Sequence, residues 1–177
     1  MFNGLILKIK QYRFLFEELV KRDFTKKYKR TVLGMIWSVL GPLMTLGVMA
    51  LVFTQFFGRS MEHYTIYMFC GNLIYSYFKD STFLGMTSLY DNSSIFSKVN
   101  VPKYMFLLSK NVSSLINFGI NLLVLFLFCL FDGVAFTWKF VLLIYPIICL
   151  IIFNLGVGLI LSAMYVIFRD TKYLYDI

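Results

Sequence analysis

Charge is what this sequence is shortest of: 15% of its 177 residues are charged, and 9 acidic groups face 17 Lys and Arg. A soluble domain carries about a quarter charged residues. The scarcity, joined to 59% hydrophobic residues, 19% aromatics and a mean hydropathy of +0.76, excludes a water-soluble fold and points to a chain solvated by lipid. Histidine occurs once, as His63, in a short polar stretch beside Glu62. One imidazole excludes a zinc centre or a Ser-His-Asp relay built with partners that the sequence does not offer. Cysteine occurs three times, as Cys70, Cys129 and Cys149, each inside an apolar run and none in a Cys-x-x-Cys pair. These read as buried thiols, with neither disulfide nor metal.

Signatures of soluble chemistry are missing as well. There is no Gly-x-x-x-x-Gly-Lys-Ser/Thr loop, no dinucleotide fingerprint and no His/Cys/carboxylate set at ligand spacing, so no nucleotide, cofactor or metal is expected on this chain itself. Asp91, Asp132, Asp170 and Asp176 are scattered rather than convergent, which argues against catalysis and for movement of something through or along the protein. No internal repeat or low-complexity tract is present. A cleaved signal peptide is not expected, because the first apolar run starts after residue 30 and far exceeds a signal core of ~7 to 15 residues.

What is there begins with a charge cluster, Lys21-Arg22-Asp23 and Lys26 to Arg30, followed by twenty-seven residues from Thr31 without a charge. At ~1.5 Å per residue such a run reaches about 40 Å, against a hydrocarbon core of about 30 Å. Nine of the 17 basic residues lie in the first thirty positions. The formal charge of +8 therefore reads as membrane orientation rather than nucleic-acid binding, since Lys and Arg beside a span are held on the cytoplasmic side.

The fold class expected is all-α integral membrane, with an N-terminal interface helix and four spans. From Gly4 to Val20, Leu5, Ile9, Tyr12, Phe16 and Leu19 recur at helical spacing, with Lys10, Arg13, Glu17 and Lys21 on another side. This predicts a helix lying in the interface, with residues 4–30 as its whole extent. The spans are predicted at 32–57, 64–89, 105–131 and 140–168. Gly41-Pro42 and Pro146 are kink points, Trp37 is an interfacial anchor, and Gly156-x-Gly158 permits close backbone approach. Lys79 and Asp80 fall within the second span, where charged groups face protein or water, so both are expected on a water-accessible interior.

Asp91 to Lys103 is the longest polar interruption after the N-terminus; Asp91 or Asn92 can cap a short helix that Pro102 ends. Fourteen Lys and Arg fall on the predicted inner side, against Arg59 and Lys139 outside. That asymmetry places the N-terminus and residue 177 in the cytoplasm. Tyr64, Tyr67, Tyr75, Tyr77 and Phe78 crowd the outer two-thirds of the second span. A flat apolar ring with a polar tip suits a sugar, whereas aromatic belts also arise at any membrane interface. With Lys79 these residues are the candidate channel lining.

The run LVKRDFTKKYKRTVLGMIWSVLGPL from Leu19 to Leu43 resembles the opening of the permease subunits of polysaccharide-exporting ABC transporters, the ABC-2 class that exports O-antigen, capsule, rhamnan and teichoic acid. CGNLIYSYF at Cys70 to Phe78, NSSIFSKVNVPKYMFLLS at Asn92 to Ser109, and Arg169-Asp170 continue the resemblance in order. It implies that the interface helix, with Arg22, Asp23, Lys29 and Arg30, precedes the first span. It also implies that residues 91–99 form a coupling helix, with Asp91, Asn92, Ser93, Ser94, Ile95, Phe96, Ser97 and Lys98 docking a separate ATP-binding cassette ATPase. ATP and Mg would sit on that partner, two permease copies would form a homodimer, and a lipid-linked glycan would cross the bacterial cytoplasmic (inner) membrane. Such permeases have six spans, so a chain stopping at Ile177 is expected to be C-terminally incomplete. The rival reading is a membrane-embedded enzyme of cell-surface glycan assembly, and a third is an accessory protein without a pore.

Overall fold

The structure is a computed structural model and describes residues 12–28, 33–56, 63–98, 100–134 and 137–176. Among these the architecture is helical throughout, with no strand. In chain order the helices are α1 (Arg13–Tyr28), α2 (Trp37–Phe56), α3 (Tyr64–Asp91), α4 (Ser93–Phe96), α5 (Tyr104–Phe131), α6 (Ile144–Ile167) and α7 (Thr171–Asp176). Single 3₁₀ segments, Gly34–Ile36 and Trp138–Leu143, lead into α2 and α6.

α3 is the central element, packed most extensively on α5 and α6, while α1 lies against α5 and α2 touches both α3 and α5. Its direction relative to its neighbours is fixed by pairs of side chains. Phe78 meets Phe153, Gly85 meets Gly158 and Tyr90 meets Tyr165, so α3 and α6 run parallel. The amide of Asn111 donates to the Ser81 hydroxyl at 2.8 Å, and His63 Nδ1 sits 2.6 Å from Asp132 Oδ2 where α3 begins and α5 ends. α5 is therefore antiparallel to α3.

By length and composition two helices can cross a membrane, Tyr104–Phe131 and Phe140–Ile167. The second packs Asn154, Gly158, Ser162 and Tyr165 on α3 but leaves most of its surface open, including Tyr145, Ile152, Phe153, Ile160 and Ile167. So much apolar helix surface left uncovered by protein needs lipid as its solvent. α3 is as long, but its polar side chains keep it below the same apolarity, and the apolar stretch of α2 covers Trp37–Val52. Pro42 lies inside α2 without ending it. The span expected at 140–168 opens as a 3₁₀ turn before becoming α-helical at Ile144. In α1, Leu19 is buried while Phe14 is exposed; Leu5 and Ile9 lie outside the described residues.

The interior grows more polar from one end to the other. Toward the His63–Asp132 end, Leu46, Ile66, Phe69, Leu73, Tyr77, Phe118, Leu125 and Cys129 form an apolar core. Toward the other end Ser81, Ser88, Asn92, Ser109, Asn111, Ser113 and Ser162 are buried among Met86, Met105 and Phe106. Small polar residues let helices approach closely where lipid offers no hydrophobic drive to hold them together.

Candidate functional site

The polar half of the core opens onto a junction of α1, the end of α3 and the start of α5. Arg22 Nη2 donates to Asp23 Oδ1 at 2.8 Å and also to Asn92 Oδ1 at 2.8 Å. Asn92, at 1% exposure, uses the other end of its amide to donate to the Ser88 carbonyl at 2.7 Å. Lys110 Nζ lies 3.5 Å from Asp23 Oδ1 and 3.7 Å from Asp91 Oδ2. The Lys110 and Asp23 side chains are 7% and 4% exposed. Two cations and two carboxylates thus balance, with Asp23 and Lys110 buried between an Arg22 and an Asp91 that still reach solvent, and pairing is the condition under which buried charge is tolerated.

This cluster unites groups that the sequence places in separate sets. By sequence, Arg22 and Asp23 belong to the interface helix, Asp91 and Asn92 to the coupling segment, and Lys110 only to the topology charges. Lys29 and Arg30 lie outside the described residues. Farther along α1, Lys27 Nζ contacts Asp80 Oδ2 at 3.1 Å. Near its start, the Glu17 carboxylate, 2.7 Å from the Arg13 guanidinium, holds that group above its ordinary range by hydrogen bond and charge.

The segment predicted as a helix over 91–99 is shorter. Asp91 completes α3, Asn92 is the junction residue, and α4 is the single turn Ser93–Phe96. Asn92 occupies the N-cap position but makes no side-chain capping bond, because its amide is spent on Ser88 and Arg22. Ser93, Ser94, Ser97 and Lys98 are exposed and Ile95 is half-buried. Phe96 is helical, and Val99 lies outside the described residues.

The candidate lining residues do not share one face. Tyr67, Tyr75 and Lys79 are exposed, and Tyr64 is half-buried at the start of α3. Tyr77 is 3% exposed, packed on Phe118 at 4.6 Å, with its hydroxyl 3.4 Å from Asn111 Oδ1. Phe78 stacks on Phe153 at 6.0 Å. Below them α7 folds back: Tyr175 bonds Thr82 through their hydroxyls, Lys172 lies over the Phe83 ring, and Arg169 over Tyr90. Sequence reasoning missed Lys110 and Asn111 as site residues; the run of Ser109, Lys110, Asn111, Ser113 and Ser114 at the head of an otherwise apolar helix was the signal that could have found them.

No protein-family model matches the chain. The sequence is similar to the O-antigen export system permease protein RfbA of Myxococcus xanthus, 30% identical over 172 residues, 96% of this chain and 65% of that protein. Two proteins of the same name from Klebsiella pneumoniae are 27% and 26% identical over 166 residues, each match covering 90% of this chain and 63% of the relative. The chain spans a little under two thirds of the length of these relatives.

Proposed function

We propose, from the premise that this chain is a relative of the O-antigen export permeases, that it is the membrane-spanning subunit of an ATP-driven exporter carrying a lipid-linked polysaccharide out across the inner membrane. α2, α3, α5 and α6 are its four spans, with α1 in the cytoplasmic interface. The N-terminus, residues 91–99 and residue 177 lie on the cytoplasmic side. A separate ATPase, holding ATP and Mg, docks on Asp91 to Lys98, and a second copy of the chain completes the transporter. Of the lining candidates, Tyr67, Tyr75 and Lys79 are exposed on α3, and these are the ones assigned to the glycan.

The observation that carries this reading is the fastening of α1 to the segment after α3. Arg22 grips Asn92, the residue immediately before α4, and Asp23 grips Lys110 of α5. A partner that displaces α4 therefore displaces the interface helix and a span with it, which is what a motor acting from outside the membrane requires. The exposed serines and Lys98 supply a polar surface for such a partner, and half-buried Ile95 an apolar anchor.

Ile95→Asp tests the docking. The ATPase is expected to stop copurifying with the permease and export to cease; retention of both would overturn the assignment. Removing the chain from cells is expected to leave finished lipid-linked polymer inside. Absence of the polymer altogether would instead favour the membrane-embedded enzyme.

A further inference from the structure

Two facing helices carry hydrogen-bonding side chains at four-residue intervals. On α3 these are Asn72, Ser76 and Asp80; on α5 they are Ser113, Asn117 and Asn121. A four-residue step advances a helix by about 6 Å and returns it nearly to the same face, so each set forms a column about 12 Å long. The antiparallel register set by the Asn111–Ser81 bond brings Asn72 level with Asn121, Ser76 with Asn117 and Asp80 with Ser113. Five of the six line one cavity of about 260 Å³, walled on the α2 side by Trp37 and Thr45. Asp80, Ser113 and Asn117 also line a second cavity of about 330 Å³, which reaches Asp91 and Lys110.

Asn72, Ser76 and Asn121 make no side-chain hydrogen bond among the described residues. In a span such groups are costly unless they meet water or a polar solute. Asp80, the one carboxylate of the columns, is matched by Lys27 at 3.1 Å, so the lining carries no net charge. Amides and hydroxyls offer both donors and acceptors, as a sugar hydroxyl does. The Trp37 ring adds a flat apolar wall for a ring's C–H face.

Resting on the permease reading, we propose that these paired columns are a recognition track for the uncharged hydroxyls of the exported carbohydrate, entered from the end where Asp91 lies. The track is separate from the tyrosines of the second span and ends toward Phe69, the outermost α3 residue of the cavity wall.

The test uses the full-length protein with its ATPase in cells. Asn72→Leu and Asn121→Leu remove one amide each while keeping a good helix former and adding apolar surface, so membrane insertion is favoured. Membrane level and ATPase copurification are expected to hold, while surface polysaccharide falls about tenfold per amide, the scale of one lost hydrogen bond. Undiminished export by the double variant overturns the track and leaves the permease reading standing. Undiminished export after deletion of the whole chain overturns the permease reading itself. An independent measurement is Asn121→Cys in a chain whose Cys70, Cys129 and Cys149 are replaced by alanine, exposed in inverted membrane vesicles to a charged, water-soluble thiosulfonate. Labelling is expected; failure to label means that protein or lipid fills the cavity and overturns the track.

Discussion

Lys110 stands one to two turns inside α5, where a lone ammonium could not be sustained, and it persists because Asp23 and Asp91 reach it. Lys110→Met removes one of the two cations on buried Asp23 and leaves Arg22 as its remaining counter-charge, which is expected to cost about 1–2 kcal/mol. Asp23→Asn combined with Lys110→Met leaves no uncompensated charge between them and is expected to recover most of that loss. Thermal unfolding of the purified protein in detergent, run on both single variants and the double, measures the coupling. Strictly additive losses would show that the two side chains do not act as a pair. The polarity of both residues is legible in the sequence, but their partnership is not. Sequence alone puts Asp23 in the interface helix and Lys110 among the charges that orient the chain, and only the docking of α1 on α5 joins them. Asn92 illustrates the same limit. Its type suits a helix cap, yet the tertiary bond to Arg22 takes its carbonyl oxygen first.

The crossing of α3 over α6 depends on two glycines that are not equivalent. A Cβ built on Gly85 would stand 3.2 Å from the Gly158 Cα, a backbone atom that cannot swing aside. One built on Gly158 would meet Gly85 Cα at 3.7 Å and Leu107 Cδ1 at 3.8 Å, ordinary contact distances. Alanine gains about 0.5–1 kcal/mol over glycine within a helix. Gly158→Ala is therefore expected to be neutral or slightly stabilising, whereas Gly85→Ala forces the helices apart and lowers the thermal midpoint in detergent. A Gly85→Ala variant at least as stable as the parent would show that the crossing is looser than this geometry. The Gly156-x-Gly158 pair marks α6 as a close-packing helix from sequence alone, and Gly158 does make the approach. Gly156 has open space around it, and Gly85 carries no local mark because its role is set by a helix more than seventy residues away. Long apolar runs report helices directly, and α3 and α5 begin within a residue of the predicted 64 and 105, whereas α2 becomes α-helical only at Trp37 rather than 32. The brevity of α4 is not legible, because Asp91 continues α3 and leaves only a single turn before the chain turns toward α5.

Taken whole, the described residues carry a charge cluster at one end of α3. Arg22, Asp23, Asp91 and Lys110 meet there, with Arg169 over Tyr90 and Lys172 over Phe83 nearby, while His63 and Asp132 close the opposite end. With basic residues in excess at the first end, the proposed topology, resting on the bilayer rule for Lys and Arg, assigns that end to the cytoplasm. Motor docking and the entry of the polar track both require that orientation. Single cysteines distinguish the two sides, in a chain whose own three cysteines are replaced by alanine. Ser94→Cys, on the exposed turn of α4, is expected to resist a membrane-impermeant thiol reagent added to intact cells and to react in inverted vesicles. Thr137→Cys, exposed between α5 and α6, is expected to behave in the opposite way. If Ser94→Cys is the one labelled from outside, α4 faces away from the compartment that holds ATP. Neither the ATPase on Asp91 to Lys98 nor the glycan's entry beside Asp80 could then stand.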